Sequence, residues 1–140
     1  MNDSPSSDVH SNFVMTWENK TNIGLSKVNR LRLFEMAIHA VEKRSCVTLS
    51  NVTLLVILDR VLHHCRDKYP VLSEVSLDTH SLNFQKLQNL EDHKLDDFIQ
   101  ALRYLLIEIL KVLTRITADI LTIPLHDELL KVTWNEPEKK

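Results

Sequence analysis

One glycine, Gly24, and four prolines are the only strong chain breakers in 140 residues. Sheet proteins need turn residues, and tight hairpins favour Asn-Gly or Asp-Gly pairs, which are missing here. A sheet-based fold is therefore disfavoured, and an all-α chain is expected. Cysteine is scarce too. Cys46 and Cys65 are the only two, and neither has a Cys-x-x-Cys partner, so no disulfide framework is expected. Reduced thiols point to a cytoplasmic protein.

Charge of one sign is also lacking. Lys and Arg number 17 against 19 Asp and Glu, a net charge of −2, so no bulk attraction draws the chain to nucleic acid or an anionic membrane. The N-terminal MNDSPSSDVHSN is polar and acidic, unlike a secretory signal. No uninterrupted apolar run suits a bilayer span, because Arg103, Glu108, Lys111 and Arg115 break the most hydrophobic segment. There is no glycine-rich phosphate loop and no Gly-x-Ser-x-Gly elbow. No enzyme is expected.

What the chain does have is the stretch Leu95 to Ile123, LDDFIQALRYLLIEILKVLTRITADILTI. Leu95, Phe98, Leu102, Leu105, Ile109, Val112 and Ile116 recur at alternating steps of three and four. A second row, Ile99, Leu106, Leu113 and Ile120, runs beside them at steps of seven. Two adjacent rows make a face wider than a two-stranded seam, so other helices must cover it. Asp92, Asp96 and Asp97 suit the positive end of this helix. Pro124 ends or kinks it, and LHDELLKV reads as a short final helix.

Two further helices precede it. Ser26 is a good N-cap for a helix to Arg44, with Val28, Leu31, Phe34, Ile38 and Val41 on one face. Ser50 or Asn51 caps another that stops at Tyr69, before Pro70, with Val52, Leu55, Leu58 or Asp59, and Leu62 on its main face. Its many β-branched residues suggest a strand, but a strand of that length is unusual. From Pro70 to His93 the pattern is poor: extended chain, then a short helix capped by Ser81. Residues 1–24 read as a flexible N-terminal arm anchored at most by Phe13, Val14 and Trp17. Residues 25–134 form a single helical bundle of about four principal helices, and 135–140 a disordered tail.

Length bears on assembly. A helix of nearly thirty residues spans about 40 Å, against about 30 Å for a compact domain of this size. The shorter helices would leave part of it uncovered, so a homodimer is expected, pairing the same face on both subunits. The interface residues are then Leu95, Phe98, Ile99, Leu102, Leu106, Ile109, Leu113, Ile116 and Ile120.

Candidate chemistry is thin. His63, His64 and Cys65 are the densest group of metal-type ligands, yet adjacent helical residues point about 100° apart and cannot share one ion. A haem or metal site would need His39 or His126 from elsewhere, so no cofactor is expected. His126-Asp127-Glu128 resembles an acid–base group but suits a helix start better. A phosphoryl-accepting histidine would suit a bundle, but Glu35 and Lys43, one turn from His39, are long and charged. The basic residues Lys27, Arg30, Arg32, Lys43, Arg44, Arg60, Arg66 and Lys68 are interleaved with acids, as on a solvated surface, making nucleic-acid binding unlikely. The expectation is a non-enzymatic regulatory or protein-interaction module, of adaptor, chaperone-like or signalling type, that recognises a partner through an apolar helix face. The alternative is a ligand-sensing bundle for haem, metal or a small apolar molecule.

Overall fold

The computed structural model describes residues 5–79, 81–88 and 90–133; for residues 5–8 and Asp92 only the backbone is described. The expected tail, 135–140, lies outside the described residues. Five α-helices dominate: α1 (Pro5–Thr21), α2 (Lys27–Thr48), α3 (Asn51–Lys68), α4 (Asp92–Ile116) and α5 (Thr122–Lys131). The only sheet among the described residues is a two-residue antiparallel ladder, β1 (Ser76–Leu77) with β2 (Leu82–Asn83). The chain is all-α, and no described helix is long and apolar enough to cross a membrane.

Local chemistry sets the ends of α2 and α3. Ser26 Oγ accepts from the Asn29 amide and Ser50 Oγ from the Thr53 amide, each satisfying an amide that has no partner within its helix. Helix α2 runs four residues past Arg44. Helix α3 stops where Tyr69 precedes Pro70, whose ring opens a 3-10 turn over Pro70–Glu74. Its inward face is Leu54, Ile57, Leu58, Val61, Leu62 and Cys65, leaving Val52 exposed.

The long apolar stretch is not one helix to Ile123. Helix α4 ends at Ile116 in a Schellman motif: the Ala118 amide donates to Arg115 O and the Asp119 amide to Thr114 O. Ala118 and Asp119 both have positive φ, 54° and 69°. Pro124 causes no break. It sits in the first turn of α5, where a missing N–H costs nothing. At 25 residues against 22 for α2, the helix is close in length to that neighbour, which weakens the length argument for a dimer.

Helix α4 lies at the centre, packed on α2, α3 and α1, with α5 on α2. The stretch expected as a flexible arm is instead helical over Pro5–Thr21, with Val14 and Trp17 buried against the core. Trp17 Nε1 donates to Val132 O, tying the first helix to the end of the last. The region from Pro70 holds the 3-10 turn, the ladder and a second short 3-10 turn at Gln85–Leu87, not a helix begun by Ser81.

Candidate functional site

The nine residues expected at an interface divide sharply. Leu95, Phe98, Ile99, Leu102, Leu106, Ile109 and Leu113 are 0–2 % exposed within a single chain. Burying each contributes about 1.5–3 kcal/mol, together at least comparable with the whole net stability of a domain, about 5–15 kcal/mol. They are the core of one chain and offer no free surface. Ile116 and Ile120, at 54 % and 70 % exposed, remain outside.

Ile116 opens onto a groove of about 210 Å³ between α3 and α4, lined by Ile57, Val61, Val112 and Ile116 and rimmed by Arg60, His64 and Glu108. The exposed Val52 and Val56 continue it along α3 at a one-turn step. Glu108 pairs with Lys111 at 2.9 Å. Arg60 has no ion-pair partner among the described residues. The groove is thus an apolar floor with an uncommitted cation at its edge.

The His63, His64 and Cys65 cluster does not converge. Both imidazoles are exposed while Cys65 is fully buried, and burial, with Glu108 nearby, pushes its thiol up to about 12. It is core filler at neutral pH, with no thiolate to bind metal or attack a substrate. Among the described residues, no three His, Cys, Asp or Glu side chains are grouped to hold a metal.

Other histidines do meet. His126 on α5 reaches His10 on α1, with Nε2 3.0 Å from Nδ1, and Phe13 stacks on its ring at 4.0 Å. His10 Nε2 lies 2.9 Å from Thr114 Oγ1. Thr114 donates its own hydroxyl to Leu110 O at 2.8 Å, so it accepts from His10. His10 is therefore protonated at Nε2 and presents a lone pair from Nδ1. Burial lowers both imidazoles below their ordinary range, His126 to about 4. A cavity of about 340 Å³, lined by Val9, His10, Asp119, Thr122 and Ile123, opens beside the pair. His126 does not work with its sequence neighbours, and Glu128 pairs with Lys131 instead.

His39 Nδ1 donates to Glu42 Oε1 at 2.9 Å, and this bond raises its pKa against the opposing effect of burial. The buried Glu42 also accepts the Leu82 amide through Oε2 at 2.9 Å, anchoring β2 to α2. A polar hollow beside His39 is lined by Glu35, Asp78 and Ser81, whose two carboxylates would repel a phosphoryl group.

Sequence reasoning missed the joint at Glu18, which is 5 % exposed. Its carboxylate accepts a bidentate pair from Arg103, at 2.6 and 2.7 Å, with Arg30 at 3.6 Å, linking α1, α2 and α4. A lone acid in a polar segment carries no such signal. No family model matches the chain, and no curated protein or solved structure is similar to it.

Proposed function

We propose that this protein is a non-enzymatic interaction module that holds an amphipathic helix of another protein in the α3–α4 groove. The observation that carries this reading is the apolar floor of Ile57, Val61, Val112 and Ile116, left open with Arg60 uncommitted at its rim. Apolar ridge residues of the partner helix would fill the floor, and an acidic flank would meet Arg60 and His64. Volume favours a helix over a small molecule: about 210 Å³ is below the 300–1,000 Å³ typical of ligand pockets. Recognition therefore passes from the buried rows of α4 to its outer edge and to α3.

Ile116 and Val56 are more than half exposed, so changing them to Asp should leave the fold intact. The test immobilises wild type, Val56→Asp/Ile116→Asp and Arg60→Glu, and compares what each retains from the native host. A protein held by wild type and lost by both variants, whose acidic helix binds as a synthetic peptide, supports the reading. Equal retention by all three refutes it. Light scattering separates the other occupant: a dimer dissolved by the double variant would mean that a second copy fills the groove.

A further inference from the structure

We propose that His10 and His126 form a two-histidine site for a borderline divalent cation of the Zn²⁺ class, joining the first helix to the last. This site is independent of the groove. Its two nitrogens, His10 Nδ1 and His126 Nε2, stand 3.0 Å apart with the rings at 88°. Two imidazoles bound tetrahedrally to zinc at 2.0–2.1 Å hold their nitrogens about 3.3 Å apart. In the metal-free pair His126 Nε2 carries the proton that it donates to His10 Nδ1; moving that proton to His126 Nδ1 and opening the pair by about 0.3 Å admits the ion.

The surroundings fit that role. Histidine ligands are oriented by a hydrogen bond from the other ring nitrogen; His10 Nε2 donates such a bond to Thr114 Oγ1, fixing the tautomer whose lone pair faces His126. Phe13 clamps the His126 ring by stacking. His10 lines the adjoining cavity with Val9, Asp119, Thr122 and Ile123, and Asp119 supplies negative charge there. Two protein ligands give a weaker site than the usual three or four, so the ion is exchangeable and not a folding requirement.

The experiment titrates metal-free protein with Zn²⁺ alone by calorimetry, and with Co²⁺ by visible absorption. Wild type should bind one ion, and His126→Gln should weaken binding at least tenfold. The His63→Gln/His64→Gln variant should bind as wild type does. Because Gln at 126 can disturb α5, a second measurement uses unaltered protein. Zn²⁺ should shift the ring resonances of His10 and His126 and leave those of His63 and His64 in place. No binding, binding unchanged by His126→Gln, or shifts confined to His63 and His64 would overturn the site.

Discussion

Glu18 shows how much one residue decides. It sits on a helix whose inward stripe is His10, Val14, Trp17 and Glu18, so half the stripe is polar and the helical hydrophobic period is invisible. The same polarity does the packing, through the bidentate bond to Arg103 and the His10 contact to Thr114. Glu18→Ala should destabilise the fold by about 2–3 kcal/mol, read as a lowered denaturant midpoint. That lies below the 3–5 kcal/mol for a fully buried pair, because Arg103 is partly exposed. Glu18→Gln should recover part of the loss. Histidines set an opposed pH dependence. His10 and His126 take up protons more readily unfolded than folded, so their contribution is complete above about pH 6.5 and is lost as pH falls toward the low folded values, about 4 for His126. Lys111 adds to the depression, while Asp119 and Asp127 oppose it. His39, held protonated by Glu42 and Glu35, contributes fully below pH 6.5, and its contribution fades as pH rises through its raised folded value. Metal-free protein should therefore melt highest near pH 6.5. His126→Gln should flatten the acid limb, and His39→Gln the alkaline one.

At the scale of elements, the starts at Ser26 and Ser50 and the stop before Pro70 were legible, and the stop of α4 was not. Ser26 and Ser50 cap the helices they precede because a hydroxyl one residue before an apolar period has one obvious use. The end of α4 was hidden. A Schellman turn normally announces itself by glycine at the left-handed position, and here Ala118 occupies it. Pro124 drew attention as the breaker, yet the break precedes it by several residues and the proline fits the next helix. Ala118→Gly should relieve the left-handed strain and stabilise the protein by about 0.5–1 kcal/mol, after glycine's greater chain entropy is offset. At this chain length that is a rise in melting temperature of about 2–4 °C. Where period alone was used, Val28 and Val52 were placed on the apolar faces, and both are exposed.

For the whole molecule, the all-α class followed from scarce glycine and from period, and the five helices agree with it. The apolar excess of α4 was read correctly as too great to face water. Composition does not say whether its cover comes from the same chain or another, and α1 supplies part of it through residues that do not look apolar. With that cover in place, the surface proposed to receive a partner is the α3–α4 groove. It is spread over Ile57, Val61, Val112 and Ile116 from two helices, and no linear pattern joins them. The histidine pair proposed to bind metal is equally non-local, since His10 and His126 lie 116 residues apart. Amide hydrogen exchange of the protein, alone and with the acidic helix it retains, tests the groove most directly. Exchange should slow along residues 52–64 of α3 and 108–116 of α4 and stay unchanged in α1 and α5. Slowing confined to α1 and α5, or none in α3 and α4, would contradict the account.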